Sequence, residues 1–372
     1  MLRWLIGDVD DDPELVLQLV VTGSHLSRRF GHTVDDIVAD GFEIDERVPM
    51  DLDDDTSFAA ARATGECMSA LADTFDRLQP DLLVVLGDRF EILAAASAAL
   101  LVRLPLAHIS GGETTVGAMD EAIRHAITKM AHLHFPAAEE YRRRIIQLGE
   151  QPDKIHTVGA LALDNIERLD LLDRTALSKA IGLDDRAPFF LITYHPVTLS
   201  AGHPAAGVNP LLEALETFSD HWLIFTGVNA DPGNDSVTKA IHEFANRHKE
   251  RTVVAASLGQ TRYLSAMSHA AAVIGNSSSG IVEAPALCIP TVNTGDRQRG
   301  RMRAASVIDC DERADEIVDA IRTAISASFR AGFQDAAYPF GKPGATGRIL
   351  EILKRTPLDN LLMKRFNDLS FC

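Results

Sequence analysis

The sequence predicts an α/β fold: doubly wound parallel sheets in two similar halves with a cleft between them. Three observations predict it. Short apolar runs alternate with helix-length segments along the chain, as parallel strands and crossover helices do. Those runs stop at glycine or at polar clusters: Thr22-Gly23, Gly87-Asp88-Arg89, His108-Ile-Ser-Gly-Gly-Glu113, Tyr194-His195-Pro196, Thr226-Gly227, Gly275-Asn-Ser-Ser-Ser-Gly280 and Asn293-Thr-Gly295. Finally, 372 residues are long for one hydrophobic core.

In chain order, residues 1–7 read as a helix or the tail of one. The acidic stretch Asp8-Val-Asp-Asp-Asp12 reads as a solvated loop, because Pro13 stands where a calcium loop would need glycine. A strand is expected at 15–21, a long helix at 58–78, and a buried strand at 81–86. A helix at 91–102 and a strand at 104–109 follow. Asp120 to Met130 has helical spacing, with Ile123, Ile127 and Met130 on one face. Then come a strand at 132–135, a helix at 141–148 and a strand at 155–158. A charged helical stretch at 164–179 leads into a second alternation, with strands at 189–193, 221–225, 252–256, 271–274 and 288–292. The division expected is 1–166 for the first domain and 167–354 for the second.

Bulk composition narrows the function classes. Hydrophobic residues make up 46% of the chain and charged residues 24%, ordinary for a globular protein. The formal net charge of −17 repels phosphate backbones, so nucleic acid is not an expected partner. The longest apolar run, 92–102, is too short to span a bilayer. Cys67, Cys288, Cys310 and Cys372 match no metal or redox spacing, which fits a reducing cytoplasm.

The densest chemistry lies in 108–125. Two glycines follow the strand there and let a ligand approach the backbone. Around them stand His108, Glu113, Asp120, Glu121, Arg124 and His125. Asp120 and Glu121 fall in the first helical turn, where the helix dipole favours negative charge. A plain cap with surface charge would also explain them. The clustering at a strand end favours an active site, since ligands bind at the carboxyl edge of such sheets. Asn276-Ser-Ser-Ser-Gly280 could hold an anion on backbone N–H groups and hydroxyls, or be an ordinary serine cap. Glu283, one turn on, could accept from ribose hydroxyls. Gly295-Asp-Arg-Gln-Arg-Gly-Arg301 places three arginines, among them Arg297, at the next strand end. Their forked donors match phosphate oxygens. His195 ends a strand facing the cleft and could titrate near neutrality. Asp88-Arg89 could be an ion pair beneath the sheet edge. The Gly-x-Gly-x-x-Gly and Gly-rich Lys-Ser/Thr phosphate loops are absent.

Together Gly87-Asp-Arg89, His108-Ile-Ser-Gly-Gly-Glu113, Asp120-Glu-x-x-Arg-His125, His195-Pro-Val-Thr198, Gly275-Asn-Ser-Ser278 with Glu283, and Gly295-x-Arg-Gln-x-Gly-Arg301 resemble the hydrolysing UDP-N-acetylglucosamine 2-epimerases of sialic and legionaminic acid synthesis. The resemblance implies a GT-B architecture: two Rossmann-like domains with an interdomain cleft, and a C-terminal helix, about 355–372, that packs back on the first domain. It implies a UDP-sugar substrate, no cofactor or metal, and a homodimer or larger homo-oligomer. A base would remove the proton at sugar C2 as UDP leaves C1. Water would then add at C1 of the glycal, and C2 would be reprotonated on the other face. On the matching positions, Asp88 and Asp120 are acid/base groups, His195 lies near the diphosphate, and Ser277, Ser278, Glu283 and Arg297 form the nucleotide site with Arg89 nearby. Many members carry glutamate where this chain has Ser110, so Glu113 is expected to take that acid role, or the site suits a modified sugar such as a 2,4-diacetamido one. Glu121 completes the catalytic candidates. The family begins with a strand and a Ser/Thr-Arg-Ala-Glu/Asp-Tyr-Gly loop, and residues 2–6 correspond to the helix after it. An upstream start, about 15–20 residues earlier, is therefore expected. Other readings are a GT-B glycosyltransferase, which shares the nucleotide site without needing both aspartates, and an inactive UDP-sugar-binding protein.

Overall fold

The computed structural model describes residues 1–197 and 205–369. Among the described residues there are eleven strands, all paired in parallel. The first half holds β1 (Val20–Thr22), β2 (Glu46–Val48), β3 (Leu83–Leu86), β4 (Leu106–Ile109) and β5 (Leu133–Phe135). The second holds β6 (Phe189–Thr193), β7 (Trp222–Thr226), β8 (Thr252–Ala255), β9 (Ala272–Gly275), β10 (Thr291–Thr294) and β11 (Val307–Cys310).

The second half is one sheet in the order β11-β10-β9-β6-β7-β8. Its central strands are fully buried, which is why they read as unbroken apolar runs. Helices cover both faces: Phe190, Ile192 and Phe225 pack with Leu211, Phe244 and Ile321 on one side. On the other, Phe189, Leu191 and Ile224 pack with Leu177, Met267 and Ala284. In the first half the strands form two sheets, β1-β2 and β3-β4-β5, with no ladder between them. Both rest on one core that includes Val48, Leu71, Phe75, Val85, Ala96 and Leu106.

Several expected elements shift. Only the end of the 15–21 run pairs, as β1. The run at 155–158 makes a single bridge, Ile155 to His134, and no strand. The first helix is Arg3–Asp10, so Asp8 and Asp10 are helical rather than loop. The stretch at 164–179 is two helices, Leu161–Arg168 and Arg174–Ile181, the second capped by the Asp173 side chain. β2 and β11 were not anticipated. Each has a partly exposed, polar-interrupted sequence that hides the strand period.

The C-terminal helix also differs from expectation. It is Ala345–Arg355, and residues 356–369 contain no helix. Pro357 disfavours helical backbone at the residue before it. Ala345 and Ile349 nevertheless pack in the core of the first half, with Leu5, Ile109, Leu133 and Phe135. Asp164 anchors this helix by accepting from the N–H groups of Gly344 (2.5 Å), Ala345 (3.1 Å) and Thr346 (2.7 Å). The halves share a small apolar contact as well: Tyr141 and Leu163 from one, Ile281 and Phe340 from the other.

Candidate active site

The carboxyl ends of β3 and β4 face those of β6, β7, β9 and β10, and the polar strand ends meet between them. His108, at the end of β4, is fully buried. Its Nε2–H donates to the Gly87 carbonyl (2.8 Å), and Nδ1 accepts from the Thr128 hydroxyl (3.2 Å). Burial pushes its pKa down to about 3. This neutral histidine fixes the Gly87 turn, where φ is +84°, and so aims the two side chains that follow.

Those side chains diverge. Asp88 does not pair with Arg89, as adjacency suggested. It accepts from Arg124 Nη2. Arg124 is buried, and it also donates to Thr115 Oγ1 (2.7 Å) and Glu121 Oε2 (3.2 Å). Glu121 in turn accepts from the Thr115 N–H and from His125 Nε2 (3.1 Å). Burial opposes its charge, but the bonds from His125 and Thr115 hold its pKa below the ordinary value. Glu121 therefore positions Arg124 and the 113–118 loop.

Arg89 reaches across the cleft to Asp231, in the loop after β7, and also faces Asp120 (4.0 Å). Arg297, from the loop after β10, faces Asp120 at 3.7 Å and donates to the Asn276 carbonyl at 3.2 Å. Gly117 makes that approach possible: a Cβ there would lie 2.9 Å from the Arg297 Cα. Asp120 is buried at the start of its helix. Burial raises its pKa, the arginines oppose the rise, and Asp231 adds to it. Asp231 shifts the other way. Burial disfavours its charge, but Arg89 and Arg297 outweigh that and hold it ionised. Of these two carboxylates, Asp120 is the one that holds a proton more readily.

His195 is buried, and Asn276 clamps its backbone: Oδ1 accepts from the His195 N–H (2.7 Å), and Nδ2 donates to its carbonyl (2.8 Å). Its Nδ1 accepts from the Asn229 N–H (3.2 Å), which leaves the proton on Nε2. Titration near neutrality is overturned, because burial and then Arg297 push the pKa down to about 3. His195 is thus a neutral donor. Thr198, the last residue of its motif, lies outside the described residues.

Glu113 stands in a different part of the loop. Its Oε2 lies 2.7 Å from Arg301 Nη2, and its charged neighbours are Arg301 and Arg144 rather than Asp88 or Asp120. Ser277 caps the short turn Ser278–Gly280 by bonding Ser279, and Ser278 is exposed beside it. Glu283 begins the helix Glu283–Ala286, and burial raises its pKa. Among the described residues no three His, Cys, Asp or Glu side chains gather as a metal site. Asp231 was missed in the sequence. The only signal for it was its place just beyond the β7 terminus at Thr226-Gly227.

Two α/β units thus bring acidic and arginine side chains together between their strand ends. The chain belongs to the UDP-N-acetylglucosamine 2-epimerase family, whose model matches residues 8–354. It is 37% identical over 370 residues to the GDP/UDP-N,N'-diacetylbacillosamine 2-epimerase (hydrolyzing) of Campylobacter jejuni, covering 99% of this chain and 96% of that one. It is 36% identical over 355 residues to the polysialic acid biosynthesis protein P7 of Escherichia coli, covering 95% and 90%. Its fold matches the UDP-GlcNAc 2-epimerase of Neisseria meningitidis, solved bound to UDP-GlcNAc, with a TM-score of 0.80 over 95% of this chain and 96% of that one at 18% identity.

Proposed function

We propose that the chain is a hydrolysing 2-epimerase that converts UDP-N-acetylglucosamine, or a related UDP-2-acetamido sugar, and water to UDP and the free 2-acetamido sugar of inverted C2 configuration. The observation that carries this reading is the placing of Asp120 against Arg89 and Arg297, one from each half, with Asp88 of the same half as Asp120 held by Arg124. Elimination and hydration need a proton removed from one face of C2 and another delivered to the opposite face, hence two acid/base groups. Asp120, buried with a raised pKa, suits a group that must exchange a proton. Asp88, held by Arg124, is the second. Arg89, Arg297 and the Nε2–H of His195 supply positive charge and a donor for the departing diphosphate. Ser277, Ser278 and Glu283 receive the nucleoside. Glu113, bound to Arg301, shapes the loop over the sugar.

A 2,4-diacetamido-2,4,6-trideoxy substrate is the second reading, favoured by the activity named for the Campylobacter relative and by Ser110. Incubation with each UDP-sugar and assay of UDP and free sugar decides between them, and release from neither sinks both. We further infer a cytoplasmic homo-oligomer. Unpaired Cys67, Cys288 and Cys310 fit a reducing compartment, and the exposed Phe58, Leu100, Leu101 and Val102 offer apolar surface for self-association. A monomer in sedimentation analysis at working concentration would count against the oligomer.

A further inference from the structure

The loop between β7 and the helix Asn234–Arg247 carries a carboxylate that this mechanism leaves without a task. Asp231 is only 2% exposed. Its Oδ1 accepts from Arg89 Nη1. Its Oδ2 is 4.0 Å from Arg297 Nη2, and it is buried with no hydrogen-bond partner among the described residues. Arg297 Nε is likewise buried and unpartnered. The Arg297 guanidinium and Asp231 Oδ2 thus stand at ion-pair range without a hydrogen bond between them, and a buried polar atom left unbonded on each side chain costs free energy.

The backbone around Asp231 is firmly held. Its carbonyl accepts from the N–H (3.1 Å) and Nδ2 (3.0 Å) of Asn234. The Gly233 N–H donates to the Asp55 carbonyl (3.3 Å), and Arg29 Nη2 donates to Asn234 Oδ1 (2.9 Å), both across the cleft. The Asp231 side chain can therefore swing while the loop stays put, at the cost of a rotamer change.

A diphosphate bound to Arg89 and Arg297 needs the donors that Asp231 now faces. Two anions on the same buried guanidinium repel each other strongly. We propose that Asp231 is a resident anion of the diphosphate site: it balances Arg89 and Arg297 before the nucleotide arrives, gives up Arg89 to the diphosphate, and returns to it as UDP departs. This rests on the assignment of Arg89 and Arg297 to the diphosphate. The exchange makes UDP bind less tightly than the two arginines alone would allow, and so favours release of that product. Asp231 acts through the arginines, as a positioning residue.

The test is UDP affinity by calorimetry in wild type, Asp231→Asn and Asp231→Ser. The exchange predicts UDP binding tighter by at least about fivefold in both variants, the lower end of coupling between competing ligands, with KM for the UDP-sugar falling alongside. Unchanged or weaker UDP binding in folded variants overturns it, as that is what a purely structural or arginine-orienting role gives. Wild type that binds no UDP would instead defeat the functional assignment beneath it. A crystal structure of wild type with UDP tests the exchange without any variant. Asp231 rotated away from Arg89 supports it, and Asp231 still bonded there beside a bound diphosphate overturns it.

Discussion

At the scale of single residues, the cleft separates groups that carry charge from groups that aim it. Asp120 sits between Arg89 and Arg297, and burial raises its pKa. Asp120→Asn should lower turnover about 100- to 10,000-fold, the usual cost of a positioned acid/base group. It should leave UDP binding intact or tighter, because it removes an anion beside both arginines. Steady-state rates with UDP calorimetry would check this, and a variant keeping a third or more of the wild-type rate would take Asp120 out of the chemistry. The raised pKa also has a sign. As pH falls through it the carboxylate is neutralised, so a base role places the acid limb of kcat/KM above the ordinary aspartate range of about 3.9. The limb should vanish in Asp120→Asn. His195 should add none between about pH 5 and 8, the window of an unperturbed histidine, because it is already neutral. Arg297→Ala and Glu283→Ala should each weaken UDP binding by about 1–3 kcal/mol, the loss of one charge-assisted contact. Calorimetry with UDP alone reads this, and unchanged affinity in both would move the nucleotide elsewhere. Some of these residues were legible from local sequence: Asp120 and Glu121 start an amphipathic helix, and Arg297 lies in an arginine-rich strand end. Asp231 was not, because its partner Arg89 is 142 positions away and nothing near it has a recognisable spacing. The adjacent pair Asp88-Arg89 misled for the same reason, since each residue's partner comes from another element.

At the scale of elements, the strands whose extent was plainest from sequence are those whose side chains are buried on both faces. β6 matches its apolar run from end to end because both of its faces are covered. β2 and β11 escaped because their outward residues are polar or charged. The C-terminal helix is set by long-range contacts that no window of sequence displays. Asp164 accepts from three successive N–H groups at its start, so Asp164→Ala strands buried donors and should cost roughly 2–3 kcal/mol. A melting temperature equal to wild type would show that the cap is dispensable. Beyond that helix, Lys364 and Lys129 meet Glu150 at 2.8 and 2.5 Å, with His134 at 3.0 Å, and so fasten the tail to the first half. Burial opposes the Glu150 charge, but these bonds hold its pKa down to about 2. Because the folded pKa lies below the unfolded one, the contribution is present above about pH 4.5 and fades towards pH 2. Glu150→Gln should cost about 3 kcal/mol near neutrality, the scale of a broken buried pair, and the gap from wild type should close as pH falls through that window. A gap that is constant with pH would show that charge is not the source.

At the scale of the whole molecule, the two halves supply what neither has alone: the carboxylates proposed as acid/base groups come from the first half, the neutral histidine and Arg297 from the second, and Arg89 and Asp231 link them. The two-half organisation was legible because strand and helix periods alternate twice. The split of the first half into β1-β2 and β3-β4-β5 was not readable as sheet pairing from those periods, which say where strands lie and not which pair. The proposed reaction exchanges the proton at sugar C2 while expelling UDP. It is tested most directly by running the reaction in D2O with UDP-N-acetylglucosamine and with the 2,4-diacetamido analogue, following UDP release and the C2 position of the sugar by NMR. One of the two should give UDP and a free sugar of inverted C2 configuration carrying solvent deuterium at C2. Free sugar with its original C2 hydrogen, or an epimer still attached to UDP, would contradict it.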